Sequence, residues 1–250
     1  MAKLLLNADG KVLTSNDKVL KAPESVNVMK TLLDGRKEAK YLFNNYNGTS
    51  VDGLISYSDT ENVTSMNYMF YSCTNLQTIP QLNTSNVSAM NQMFRMCARM
   101  QTIPQLDTSN VKDMNYMFNR CSKLESIPQL DTSNVTSMTS MFSDCGLLTT
   151  IDITSMDKIT STNSSSNFAG NCYSLTKFII RTMTVIPPLN TNSFTNCYHF
   201  EGKTNSTYNP DGLKDGRIYV PDNMVDSLKS ATNWSAYADI IVPLSTLVED

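Results

Sequence analysis

The feature that most constrains this chain is a period of 24 residues. The stretch Thr84–Asn110 shows the frame: Asn86-Val87, Met90, Met93-Phe94, Cys97, Met100, then Ile103-Pro104-Gln105-Leu106. It returns 24 residues later as Asn110-Val111, Met114, Met117-Phe118, Cys121, Leu124 and Ile127-Pro128-Gln129-Leu130. It is already present 24 residues earlier as Asn62-Val63, Met66, Met69-Phe70, Cys73, Leu76 and Ile79-Pro80-Gln81-Leu82. A fourth copy runs from Asn134-Val135 through Met138, Met141-Phe142, Cys145 and Leu148 to Ile151. A unit this short cannot bury its apolar face alone, so a repeat of this period implies a solenoid in which neighbours bury one another.

Within a unit, Val63, Met66, Met69/Phe70 and Cys73 fall at i, i+3, i+6/i+7 and i+10. That spacing predicts one apolar stripe on a helix of about three turns. Polar residues such as Asp107-Thr108-Ser109-Asn110 crowd before the stripe, where a helix start needs side-chain acceptors. After the cysteine, Leu76-Gln77-Thr78-Ile79 reads as a short extended piece ended by Pro80, which lacks an N–H. The expected fold class is therefore an α/β solenoid, a leucine-rich-repeat-like coil of helix-plus-short-strand units. Strands stack about 4.8 Å apart and helices about 10 Å apart, so such a coil bends with its strands on the concave side. The positions that vary between copies are then Tyr68, Tyr71, Arg95, Lys112, Tyr116 and Arg120 on the convex side, and Gln77, Gln101, Glu125 and Thr149 on the concave strand face.

The ends differ from the regular copies. Residues 1–22 carry Leu4-Leu5-Leu6 and Val12-Leu13 around Ala8-Asp9-Gly10, a hairpin signal, and a second beat at Val19-Leu20. A β hairpin or meander this small has no stable core of its own and must pack on something else. Residues 23–58 read as a degenerate copy acting as an N-terminal capping repeat, with Ala39, Leu42-Phe43, Tyr46 and Ile55 in the frame. Residues 59–151 hold the regular units and 152–200 degenerate ones, where Phe168, Cys172, Leu175 and Phe178, then Phe194, Cys197 and Phe200, recover the pattern. Residues 201–250 form a loop and a C-terminal cap: a strand at Arg217–Val220, then a helix with Asp222 as N-cap and Met224, Val225, Leu228 and Ala231 on its inner face.

Chemistry-bearing residues are few. Charged residues make up 17% of the chain and the net charge is −3, which supplies no basic footprint for nucleic acid. No run reaches the 18 or so apolar residues of a membrane span, and Leu4-Leu5-Leu6 is too short for a signal-peptide core, so no ordinary export route and no membrane insertion are expected. Cys73, Cys97, Cys121, Cys145, Cys172 and Cys197 suggest a disulfide or zinc set. A ladder of helices about 10 Å apart keeps them too far apart for disulfides, and its thiolates do not converge on a metal, so buried free thiols are expected. Cys197 and His199 invite a nucleophile–base reading, against which stands a cap cysteine beside a surface histidine. The methionine ladder reads as core, and the column Asn62, Asn86, Asn110 and Asn134 as partners for backbone groups at each turn. The expectation is a non-enzymatic protein with no catalytic residue, no metal site and no cofactor.

The residues Asp131-Thr132-Ser133-Asn134-Val135-Thr136-Ser137-Met138, with Met141-Phe142 and Cys145, resemble the BspA-like leucine-rich repeats of bacterial surface proteins. The form with Ile-Pro-Gln-Leu between stripes is similar to copies in tail-associated proteins of bacteriophages. The segment from Ile218-Tyr219-Val220-Pro221-Asp222 through Asn233-Trp234-Ser235-Ala236-Tyr237-Ala238 resembles a C-terminal segment that closes such proteins, and Leu4–Leu13 resembles the start of phage structural proteins. The resemblance implies adhesion or virion structure. The resulting expectation is a virion protein made in the host cytoplasm. It would dock on other virion proteins through Leu4, Leu5, Leu6, Val12, Leu13, Val19 and Leu20, and meet a host-surface glycan or protein through its repeats. The alternative is a BspA-like adhesin on a bacterial cell surface. Candidate contacts are Gln77, Gln101, Glu125 and Thr149, or Tyr68, Tyr71 and Tyr116; a homo-oligomer is left open.

Overall fold

The structure, a computed structural model, describes residues 37–248 and two short strands nearer the N-terminus, β1 (Leu5–Leu6) and β2 (Val12–Leu13). These two pair antiparallel, Leu5 opposite Leu13 and Leu6 opposite Val12. Among the expected docking residues, Leu4, Val19 and Leu20 lie outside the described residues, as do positions 23–36 of the capping repeat.

From residue 37 onward, successive units lie side by side and share main-chain hydrogen bonds. In the unit beginning at Asn62, the N–H groups of Met66, Tyr68, Phe70 and Ser72 donate to the carbonyls of Ala89, Asn91, Met93 and Arg95 in the next unit, at 2.8–3.0 Å. The alternate N–H groups of Met69, Tyr71 and Cys73 stay within the unit, bonding the carbonyl three residues back at 3.1–3.2 Å. The same alternation recurs at Gln92–Cys97 and at Tyr116–Cys121. Parallel bridges link Ser65, Ala89, Asp113 and Ser137 in one line.

This arrangement corrects the expected three-turn helix. In an α-helix each N–H bonds four residues back within its own segment. Here every second donor is spent on the neighbour, and the stripe is a run of tight turns. Two residues in each unit take the left-handed conformation, four apart: Tyr68 and Ser72, Gln92 and Met96, Tyr116 and Arg120, Ser140 and Asp144. Such residues interrupt a right-handed helix and cost roughly 1–2 kcal/mol each for a side chain other than glycine. The ladder bonds and the burial of the stripe offset that cost.

The apolar stripe itself faces inward as its spacing implied. Val63, Met66, Met69, Phe70, Cys73 and Leu76 are buried, and so are their equivalents in the next three units. Phe43, Phe70, Phe94, Phe118 and Phe142 form a column of near-parallel rings with centroids 5.4–5.5 Å apart. One unit therefore advances by about one ring stack, half of what adjacent helices need. The mismatch between helix and strand spacing that implied curvature does not arise in these units. The column ends at Phe168, which meets Phe142 edge-on at 89°, where the inserted polar segment around Ser161–Asn167 changes the unit length.

Among residues 37–248, regular strands appear where the frame decays. Strands β3 (Thr150–Ile153), β4 (Lys177–Ile180), β5 (Arg217–Val220) and β6 (Ile241–Pro243) form a four-stranded parallel sheet in chain order. Ile151, Phe178, Ile218 and Ile241 stand in register across it, each buried. Two short helices accompany it, α1 (Tyr198–Glu201) and α2 (Val225–Ser230). Asp222 is not the N-cap of α2: it opens a 3-10 turn, Asp222–Met224, and its carboxylate accepts the Ser245 N–H at 3.0 Å. Trp234 is fully buried and donates its indole N–H to the Pro187 carbonyl at 2.8 Å.

The six cysteines are free and buried. The reason differs from the expected helix spacing, because the rungs are close. Each thiol donates to a carbonyl of an earlier unit: Cys73 to Phe43 at 2.9 Å, Cys97 to Phe70 at 3.2 Å, Cys121 to Phe94 at 3.0 Å, Cys145 to Phe118 at 3.1 Å. Each of these phenylalanine carbonyls also accepts the N–H three residues on within its own unit, as Phe94 does from Cys97. The thiol thus supplies a second donor to a buried acceptor. The Asn column likewise bonds across units: Asn86, Asn110 and Asn134 donate to the carbonyls of Glu61, Ser85 and Ser109, each at 2.8 Å.

Two predictions follow from this core. Phe94→Ala removes a fully buried ring sandwiched between two others and should cost about 3–5 kcal/mol in denaturant unfolding, whereas Lys112→Ala on the surface should stay within about 0.5 kcal/mol. Equal small losses would show that the ring column is not the core. The second concerns pH. Burial pushes the Cys121 and Cys172 thiols from an ordinary value of 9.0 up to about 12. Between these values the unfolded chain has released a proton that the folded chain keeps, so stability is complete below pH 9 and falls as pH rises. Each such thiol contributes a slope of about 1.4 kcal/mol per pH unit. The stability curve of Cys121→Ser should therefore fall less steeply than that of the native protein above pH 9. Parallel curves would contradict the assignment.

Candidate functional site

The ladder leaves its alternating side chains on fixed tracks, one residue per unit. Gln77, Gln101, Glu125 and Thr149 are all exposed and occupy equivalent positions after the cysteine turn. The Glu125 N–H bonds the Gln101 carbonyl at 2.9 Å, and the Gln77 N–H bonds the Thr49 carbonyl at 2.8 Å. The track continues past Thr149, whose carbonyl accepts the N–H groups of Thr176 and Lys177. Main-chain bonds thus hold this track, and its side chains project from it.

The tyrosines, on another track, are drawn into a connected strip. Tyr41 stacks on Tyr68 at 4.7 Å, and Tyr68 meets Tyr71 at 5.9 Å. The Arg95 guanidinium lies over both Tyr71, at 5.8 Å, and Tyr116, at 5.1 Å. Contacts of this kind contribute about 0.5–1 kcal/mol at exposed sites. A polar chain runs beside the rings: Gln92 donates to the Tyr68 hydroxyl at 2.8 Å, Arg95 donates to Gln92 at 2.7 Å and to Asn119 at 3.1 Å, and Asn119 donates to the Ser143 carbonyl at 3.2 Å. Tyr68, Tyr71 and Tyr116, separate candidates in the sequence, form one surface with Arg95 as the link.

Tyr41 belongs to the strip and was not singled out by the spacing. It stands in the degenerate copy, in the left-handed conformation that Tyr68, Gln92 and Tyr116 share. Its signal was the alignment of Phe43 with Phe70, which places Tyr41 opposite Tyr68. A second aromatic group, Tyr173 with Tyr198 at 5.3 Å and Tyr208 at 5.0 Å from Tyr173, occupies the later units.

The one chemical pair suggested by the sequence does not assemble. Cys197 is fully buried, its thiol donates to the Ala169 carbonyl at 3.1 Å, and burial raises its pKa, which opposes the thiolate a nucleophile needs. His199 turns instead to Asp215, with its Nδ1 2.7 Å from the carboxylate. A recess of about 370 Å³ beside Tyr57 is lined by Gln81, Asn83, Gln105 and Asp107. Its polar groups are committed to the ladder: Gln81 donates to the Gln105 carbonyl at 2.6 Å, and Asp107 accepts from the Ser109 hydroxyl at 2.6 Å. Among the described residues no group of three or more His, Cys, Asp or Glu side chains is placed to hold a metal ion, and no helix is long and apolar enough to cross a membrane.

Comparison with curated proteins finds no match to the chain. A family model described as "Mycoplasma protein of unknown function, DUF285" matches twice, over residues 37–154 and 98–207. Two overlapping matches are what a repeated unit produces, since the model can be laid on the ladder in more than one register. The match supports the BspA-like part of the resemblance. Together the two matches span more than half of the chain, and the protein belongs to the DUF285 family.

Proposed function

We propose that this is a non-enzymatic recognition protein of an outer surface, a solenoid whose stacked units present side chains to a partner. The observation that carries this reading is the division of the main chain and side chains. The ladder spends its backbone groups on neighbouring units and its stripe on the core. What varies from unit to unit, the half-buried to exposed Tyr41–Tyr116 strip and the exposed Gln77–Thr149 track, lies outside the core in rows of one position per unit. Solenoids use such rows as extended contact surfaces.

The surface on which the protein is displayed is, in this proposal, that of a bacteriophage particle. Residues 1–22 dock it on other virion proteins and the repeats meet a host-surface glycan or protein. The β1–β2 pair supports a docking element that has already formed its strands, and the Ile-Pro-Gln-Leu form of the repeats supports the virion. A second reading, a BspA-like protein on a bacterial cell surface, is favoured by the family match. Immunogold electron microscopy with antibodies against the chain, on cultures before and after phage release, tests both. Label on free particles is the expected result. Label confined to cell envelopes would move the assignment to the second reading, and label confined to the cell interior would contradict the proposal as a whole.

A further inference from the structure

Two neighbouring units carry four cations around their cysteine turns. Arg95 and Arg120 flank the cysteine turn on one side, and Arg99 and Lys123 follow it on the other. Arg99 and Lys123 stand at equivalent positions of adjacent units, just after Ala98 and Ser122, which are joined by the bond from the Ser122 hydroxyl to the Ala98 carbonyl at 3.3 Å. Both are exposed, and neither has a carboxylate partner among the described residues. Arg95 is held by amides and rings alone. Arg120 meets one carboxylate, Asp144, at a loose 3.9 Å, with 60% of its side chain exposed.

Three acidic groups of the same units are engaged elsewhere, and a fourth, the exposed Glu125, stands on the Gln77–Thr149 track. Asp107 and Asp131 accept from Ser109 and Ser133 in the turns before each stripe. Asp113 accepts from Asn91 and from the Asn115 N–H. Of these four cations on two adjacent rungs only Arg120 has a carboxylate within 4 Å, so Arg99 and Lys123 offer an anion exposed, directly unpaired partners among the described residues. Through Arg95 the group joins the tyrosine strip, which runs on through Tyr71 and Tyr68 to the exposed Tyr41.

We propose that this strip is a binding site for a linear anionic polysaccharide lying along the ladder axis. The proposal deepens the recognition reading above and rests on it. Three observations define the ligand class. The site extends over four units, so the ligand is a polymer. Tyrosine rings held in a row by the Gln92 and Asn119 amides, and ending in the exposed Tyr41, suit the flat C–H faces of sugars. The rung spacing, about 5.5 Å by the ring column, is close to the advance of one sugar residue in an extended chain, so the two cation-bearing rungs, one with Arg95 and Arg99 and the next with Arg120 and Lys123, match the anionic groups of two successive sugars. Double-stranded nucleic acid, with one charge per about 1.7 Å of axis, is far denser than this site, and the net negative charge of the protein opposes it.

The test uses the full chain, an oligogalacturonate carrying one carboxylate per sugar, and its fully methyl-esterified form, which keeps the backbone and removes the charge. Calorimetric titration at low salt should show binding of the acid, weakening as salt rises, and none of the ester. Arg99→Gln combined with Lys123→Gln should weaken binding at least tenfold, since each removes a charge-assisted contact. Lys112→Gln, on another track, should leave it unchanged. The double variant changes two exposed side chains, and its unfolding curve should overlay the native one. Absence of binding to the acid would overturn the inference, as would equal binding of acid and ester or insensitivity to the double variant. Tighter binding of a single-stranded oligonucleotide through the same two cations would also overturn it, in favour of nucleic acid. A chain that fails here yet still labels an outer surface would leave the recognition reading standing and remove only its ligand.

Discussion

Main-chain hydrogen bonding between units, at the spacing of one aromatic stack, is the constraint on which the rest of this molecule depends. Once the N–H of Phe94 is given to Met117 and that of Phe70 to Met93, the unit can no longer close the bonds of a helix. Its remaining donors turn back three residues, and the chain needs left-handed residues such as Ser72 and Met96 to keep its alternate donors aimed at the neighbour. Buried rings must then stack face to face, because 5.5 Å leaves room for one phenyl thickness and its contacts. The cysteine is suited to the same rung: it is small, and its thiol reaches a carbonyl that lies one unit away.

Much of this was legible in the sequence and some was not, for physical reasons. The 24-residue frame identified the inward residues correctly, because burial depends on which side chains face the neighbour and the period reports that directly. Val87, Met90, Phe94 and Cys97 are all fully buried. The backbone conformation was not legible. Apolar residues three and four apart mark a helix, but a chain of tight turns that returns its side chains to one side every three or four residues leaves the same imprint. The informative signal was the mixed occupancy of the left-handed positions, Tyr68, Gln92, Tyr116 and Ser140, which no residue preference marks. The spacing of the thiols differs for the same reason: helices would hold their units about 10 Å apart, and the rungs advance by one ring stack of 5.5 Å.

The candidate surface shows a similar division. Tyr68, Tyr71, Arg95, Tyr116 and Arg120 were recognisable as outward positions that the scaffold leaves free. Their assembly into one strip depends on rung spacing, which brings Arg95 over rings from the units on either side of it. Arg99 and Lys123 gain their meaning only from adjacency across units, a relation that a linear reading hides. The low overall charge also concealed them, although Asp107, Asp113 and Asp131 of the same units bond serines and amides in other turns. A scaffold that aligns equivalent residues at fixed spacing converts single substitutions into rows, and rows are what an extended ligand reads.

The account stands or falls on the bonds between units. Scalar couplings through hydrogen bonds, measured by NMR on the deuterated 27.9 kDa chain, report directly which carbonyl each amide meets. The account predicts that the Phe70 amide couples to the Met93 carbonyl carbon, Phe94 to Met117, and Phe118 to Met141. Couplings from these amides to carbonyls four residues back in their own units would show helices, and would contradict the ladder on which both the core and the proposed binding strip are built.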